Sequence, residues 1–126
     1  MTARIVIADD DVDIRTLVRI SAVRAGFDVV AEVGDGDAAL AAVREFAPDL
    51  AILDVTMPGL TGVEVCRAVR EDPALDAVRI LLLSAAVGEA SMATGLEAGA
   101  SAYFAKPFSP RELTASLLEI LGESQS

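Results

Sequence analysis

Five polar residues stand where apolar runs stop. Leu50-Ala51-Ile52-Leu53 ends in Asp54, and Arg4-Ile5-Val6-Ile7-Ala8 ends in Asp9 and Asp10. Arg79-Ile80-Leu81-Leu82-Leu83 ends in Ser84, and the shorter Ala102-Tyr103-Phe104-Ala105 is followed at once by Lys106. Carboxylates gathered in one crevice repel, and they stay ionised together only when a cation compensates them. The chain has no His, so oxygen is the available donor, which suits Mg²⁺. Mg²⁺ takes one or two protein carboxylates plus waters and phosphate oxygens, so an acidic site of this kind can accept a phosphoryl group. A carboxylate can then be the nucleophile and become an aspartyl phosphate. That transfer needs mainly positioning and charge stabilisation. Lys106 offers a positive point charge and Ser84 a hydroxyl donor. Asp54, mid-sheet between the acid pair and Ser84, is the preferred nucleophile.

Each of these residues also has an ordinary structural explanation. Asp54 could simply open a turn. Any one of Asp9, Asp10 and Asp11 could cap a helix, where acids also suit the helix dipole. Ser84 could cap the next helix, and Lys106 could be a solvated lysine beside a turn. Singly these explanations serve; together they leave unexplained why four strand ends all carry a polar group.

The elements that must position these groups follow from the pattern. Residues 4–8, 50–54 and 79–84 read as short strands buried on both faces. Residues 28–33 are less uniformly apolar, as at a sheet edge, and 102–105 form a short last strand. Ile14, Leu17, Val18, Ser21 and Ala25 recur at helical spacing, and Gly26 ends that helix. Asp37 is placed to cap an Ala-rich helix running to about Phe46. Thr61-Gly62-Val63-Glu64 is a capping box opening a third helix that ends near Asp72-Pro73. A weak fourth helix spans Val87 to Ala98, rich in poor helix formers and closed by Gly99. Ser109-Pro110-Arg111-Glu112 is a second capping box, and Leu113, Leu117, Ile120 and Leu121 form the buried stripe of the last helix. Strict alternation of strand and helix, five times over, implies an α/β fold with a doubly wound parallel sheet of order 2-1-3-4-5. Ligands then bind outside the carboxyl ends of the strands, where all four polar ends converge.

Composition narrows the rest. A chain of 126 residues fits one domain. It carries a net charge of −10 without a basic stripe, which argues against direct nucleic-acid binding. The absence of His rules out Ser-His-Asp and Cys-His mechanisms within the chain. No apolar run approaches the ~18 residues of a membrane span, and Met1 to Arg4 lack a signal-peptide pattern. A cytoplasmic location is therefore expected. The single Cys66 excludes an internal disulfide and reads as a small buried hydrophobe.

From about Arg4 to Leu121 the chain resembles the receiver domain of two-component response regulators, whose fold is flavodoxin-like. The matching pieces are Ile7-Ala8-Asp9-Asp10-Asp11 with Arg15 after it, Leu53 to Gly59, Leu83-Ser84-Ala85, and Gly99-Ala100 with Tyr103 and Lys106-Pro107-Phe108. The resemblance implies that Asp54 accepts a phosphoryl group from a histidine kinase or phosphotransfer protein. It implies Mg²⁺ bound directly by Asp10, largely through water by Asp9, and also by Asp54 and the backbone carbonyl of Thr56. Ser84 and Lys106 would contact the phosphoryl group, Ser84 and Tyr103 would form the switch, and Lys106-Pro107 is expected to be cis. Residues 1–122 would be the receiver and 123–126 a short polar tail. Such a domain is not a turnover enzyme beyond its own phosphorylation and autodephosphorylation. It signals through the face of its fourth helix, last strand and last helix to an effector protein or domain.

Some positions depart from common members. Ala8 stands where a larger aliphatic is usual. Thr56 and Ala86 flank the phosphoryl site, where family members tune hydrolysis. Ser101-Ala102 and a fourth helix without Lys or Arg put in doubt the salt-bridged dimer of the winged-helix branch. The expected state is therefore a monomer or a phosphorylation-dependent dimer. Three other readings compete. A Mg²⁺-dependent aspartate-nucleophile phosphatase would carry a second acid where Thr56 stands. A flavodoxin-like cofactor binder would carry a Ser/Thr/Gly-rich first loop instead of Asp9-Asp10-Asp11. A pseudo-receiver would act by protein contact without phosphorylation.

Overall fold

The computed structural model describes residues 2–85 and 89–122, with Glu89 described by its backbone alone. Ala86 beside the expected phosphoryl site, Val87 and Gly88 at the expected start of the fourth helix, and the tail 123–126 lie outside the described residues. Strands and helices alternate as β1 (Arg4–Ala8), α1 (Val12–Arg24), β2 (Asp28–Val33), α2 (Gly36–Phe46) and β3 (Leu50–Asp54). They continue as α3 (Gly62–Arg70), β4 (Arg79–Ser84), α4 (Glu89–Glu97), β5 (Ala102–Ala105) and α5 (Pro110–Gly122). The sheet runs β2-β1-β3-β4-β5 with every neighbouring pair parallel. This is the doubly wound order expected from the sequence.

Strand residues divide between two cores by simple alternation. Val6, Ala8, Ala51, Leu53, Ile80 and Leu82 pack against α2, α3 and Ala98. Ile5, Ile7, Leu50, Ile52, Leu81 and Leu83 pack against α1 and α5. Both faces of the central strands are covered, which is why their sequences are apolar throughout rather than alternating. Ala8 pairs with Leu53, so the next residues, Asp9 and Asp54, stand level at the carboxyl edge. Ser84 pairs with Ala105, which sets Lys106 just beyond it. The fold thus places the acid pair, Asp54, Ser84 and Lys106 on one rim.

Local signals hold with identifiable exceptions. Both halves of the Thr61 capping box form, with Thr61 N donating to Glu64 at 2.9 Å and Glu64 N to the Thr61 hydroxyl at 3.1 Å. In α5 the Ser109 hydroxyl accepts from Glu112 N at 3.4 Å. α2 starts two residues early: Asp35, not Asp37, is its cap, accepting from Ala38 N at 2.7 Å. The cause is tertiary, since Gly36 N donates to Pro58 O at 3.1 Å and draws the turn onto the loop after β3. In α1, Val18, Ser21 and Ala22 are buried, whereas Leu17 of the expected stripe is 37% exposed. The stop expected near Asp72-Pro73 is followed by an unforeseen 3-10 turn over Pro73–Leu75, capped by Asp72. Cys66 is fully buried, its thiol donating to Ala98 O. The Lys106-Pro107 peptide is cis.

Candidate functional site

At the carboxyl rim the Lys106 ammonium bridges two buried carboxylates. Its Nζ lies 2.9 Å from Asp9 Oδ2 and 3.2 Å from Asp54 Oδ1. Asp9 is 1% exposed and Asp54 5%, so neither can lean on solvent for its charge. Asp10 is exposed, yet one ligand atom from each of Asp9, Asp10 and Asp54 falls within a 4.8 Å cluster. Thr56 N donates to Asp54 Oδ1 at 3.4 Å, and Asp11 N to Asp9 Oδ1 at 2.9 Å. Asp11 is also the α1 cap, accepting from Asp13 N and Ile14 N. One of the three consecutive acids is therefore a cap, as the simple explanation held, and the other two are left for the site.

Main-chain bonds fix the rim. Val55 N donates to Leu83 O and Lys106 N to Ser84 O, both at 2.8 Å. Ser84 is buried beside Asp54's strand, and it shares with Tyr103 a small cavity of about 160 Å³. Val55, Val63, Ser91 and Thr94 complete its lining. The structure thus brings together Asp9, Asp10, Asp54 and Lys106 in one cluster. It joins Ser84 and Tyr103 through the adjoining cavity. What sequence reasoning missed is the direct contact of Lys106 with Asp9, since a strand-end lysine carries no sign of which acid it will meet. It also missed Arg15 as a structural part of the site: Arg15 Nη1 donates to the Asp9 carbonyl at 2.9 Å.

Electrostatics follow from burial. Desolvation, and next the charge of Asp9, raise the Asp54 pKa from 3.8 to about 6, although Lys106 and Thr56 N–H pull it down. Burial pulls the Lys106 pKa down, but its bonds and charge pairing with Asp9 and Asp54 outweigh this and leave it above the usual value. A carboxyl whose folded pKa lies above its unfolded one favours folding at low pH. That stabilisation is complete below about pH 4 and is lost as pH rises through about 6. Asp54→Asn should therefore stabilise the Mg²⁺-free protein at pH 8 by on the order of 2 kcal/mol, with little gain at pH 4. Urea unfolding at the two pH values checks this, and equal gains at both would contradict it.

Residues 5–118 match the family model described as the response regulator receiver domain. The chain belongs to that family. Relatives of this receiver include the DNA-binding response regulator MtrA of Mycobacterium tuberculosis, 44% identical over 115 residues. That match covers 91% of this chain and 49% of MtrA. Another is the alkaline phosphatase synthesis transcriptional regulatory protein PhoP of Bacillus subtilis, 40% identical over 125 residues. It covers 99% of this chain and 51% of PhoP. The receiver spans about half the length of these relatives. Among solved structures, the signal receiver domain of the putative response regulator NarL from Mycobacterium tuberculosis superposes with a TM-score of 0.88 at 33% identity. That match covers 94% of this chain and 95% of that one. Chemotaxis response regulator CheY4 of Vibrio cholerae gives 0.88 at 32% identity, covering 95% and 99%. Among the described residues no helix is long and apolar enough to cross a membrane.

Proposed function

We propose that this receiver accepts a phosphoryl group on Asp54 from a histidine kinase or phosphotransfer protein, in a Mg²⁺-dependent reaction. The observation that carries the reading is the cluster of Asp54 with Asp9, Asp10 and Lys106 at the carboxyl rim. The donor set fits Mg²⁺. The ligands are oxygens, and three ionised carboxylates against one ammonium leave two negative charges for a divalent cation to balance. Asp9, Asp10, Asp54 and the Thr56 carbonyl would hold it; when bound, it supplies positive charge for the phosphoryl oxygens.

The chain's own residues do the rest. An Asp54 carboxylate oxygen forms the new O–P bond as the P–N bond to the donor imidazole breaks, its electron pair leaving with that nitrogen. Lys106 offsets the charge of the transferred group, and the Ser84 hydroxyl donates to it. Burial of Asp54 keeps competing water away and lets those few dipoles act strongly. Ser84 then moves toward the phosphoryl oxygens, and the cavity it shares with Tyr103 gives that ring a place to turn inward. The face of α4, β5 and α5 changes shape, which is the signal to an effector. Driving it from 1:99 to 99:1 requires about 5.5 kcal/mol of differential stabilisation.

We assign the receiver to residues 1–122, with 123–126 as a polar tail, and place it in the cytoplasm. Its output passes to an effector protein or domain, as the DNA-binding and transcriptional relatives suggest. A net charge of −10 speaks against nucleic-acid contact by the receiver itself. It acts as a monomer or a phosphorylation-dependent dimer. Incubation with acetyl phosphate and Mg²⁺ should add one phosphoryl group by intact mass, and none with EDTA or in Asp54→Ala. Phosphorylation that survives EDTA would overturn the Mg²⁺ dependence.

A further inference from the structure

Asp10 is the exposed member of the acid cluster, and no described residue gives its side chain a hydrogen bond or ion pair. Its direction must therefore come from the backbone. Asp9, the residue before Asp10, is tied at every polar atom, backbone and side chain. Asp9 N donates to Val33 O at 3.1 Å, Oδ1 accepts from Asp11 N, and Oδ2 meets Lys106. The carbonyl accepts from Arg15 Nη1 at 2.9 Å. That carbonyl belongs to the planar peptide joining Asp9 to Asp10, so clamping it fixes where the Asp10 Cα sits, and the bond from Asp11 N to Asp9 Oδ1 holds the chain on the other side of Asp10.

Arg15 is itself held. Its Nε lies 4.0 Å from Glu32 Oε1 on β2, and Glu32 Oε2 lies 3.2 Å from Arg19 Nε. Gly34, just past β2, leaves the slot the guanidinium passes through. A Cβ there would stand 3.3 Å from Arg15 Nη1 and 4.0 Å from the Asp9 carbonyl.

We propose that Arg15 is a positioning residue for the metal site, holding the Asp9–Asp10 peptide so that the Asp10 carboxylate stays turned toward Asp9 and Asp54. The inference rests on the Mg²⁺ reading of that cluster. It also makes a prediction opposite in sign to a simple charge effect. A cation near the site repels Mg²⁺, so deleting Arg15 would tighten binding if charge alone mattered. Positioning requires the reverse.

The test is a calorimetric Mg²⁺ titration of the unaltered protein and its variants, with Mg²⁺-free melting temperatures alongside. Arg15→Met should weaken Mg²⁺ binding about tenfold, the low end for lost outer-shell partners. Arg15→Lys, which can still donate to the carbonyl, should recover most of that loss. Gly34→Val should reproduce it with Arg15 still present, and serves if Arg15→Met fails to fold. Arg19→Met breaks only the outer pair with Glu32 and should change affinity less than about twofold. Equal or tighter Mg²⁺ binding by Arg15→Met or Gly34→Val would overturn the positioning role alone. No Mg²⁺ binding by the unaltered protein would overturn the metal reading, and this inference with it.

Discussion

Gly36→Ala is expected to destabilise this receiver by about 3 kcal/mol or more, at the upper end of overpacking costs. A Cβ at Gly36 would fall 1.8 Å from the Leu60 carbonyl oxygen and 2.5 Å from its carbon. Both are main-chain atoms and cannot swing aside as a side chain would. The same turn holds the loop after β3 through Gly36 N and Pro58 O, so forcing the two apart also strains the segment carrying Thr56 and the buried Met57. Gly26→Ala is the contrast. Gly26 has φ +90° with nothing within 4 Å of its would-be Cβ, so its cost is conformational, about 1–2 kcal/mol. Urea unfolding of the two variants separates collision from backbone preference. A Gly36→Ala protein as stable as Gly26→Ala would contradict the close approach.

Lys106→Met should have a comparable effect by a different route. It leaves Asp9 and Asp54 buried without their shared counter-charge. Breaking a buried pair by removing one partner costs about 3–5 kcal/mol. Here Asp54 can relieve part of this by taking a proton, since its pKa already stands at about 6. The expected loss is about 3 kcal/mol at pH 8 without Mg²⁺, shrinking as pH falls through 6 and again when Mg²⁺ is added. Unfolding curves at pH 8 and pH 5, with and without Mg²⁺, check each clause. A loss independent of both pH and Mg²⁺ would mean that Lys106 contributes packing rather than charge.

The strands were legible because a parallel sheet covered on both faces demands uninterrupted apolar runs, and their abrupt polar ends marked the rim. Helix ends were legible where chemistry is local, as at Thr61 with Glu64 and at Gly99, whose φ of +105° closes α4. Errors arose where tertiary contact decides. Asp35 and Asp37 are equally good caps in isolation, and the contacts of Gly36 with Pro58 and Leu60 select the first. Leu17 lies about 100° round α1 from the buried Val18 and so falls on the flank of the stripe, whereas Ala22, one turn above Val18, is buried. The site shows the same division. Asp9, Asp10, Asp54, Ser84 and Lys106 were readable as residue types at strand ends, whereas Tyr103, inside β5, came only from the family resemblance. The bridging of Asp9 and Asp54 by one ammonium was not, because it depends on the path of the chain beyond β5. The link from Arg15 to the Asp9 carbonyl depends likewise on the slot at Gly34.

In the proposed function Asp54, rather than its neighbours Asp9 and Asp10, carries the phosphoryl group. Borohydride reduces an aspartyl phosphate to homoserine, which marks the modified position for peptide fragmentation. After treatment with acetyl phosphate and Mg²⁺, homoserine is expected at position 54 alone. Homoserine at position 9 or 10, or at none of the three in protein that has gained phosphoryl mass, would contradict it.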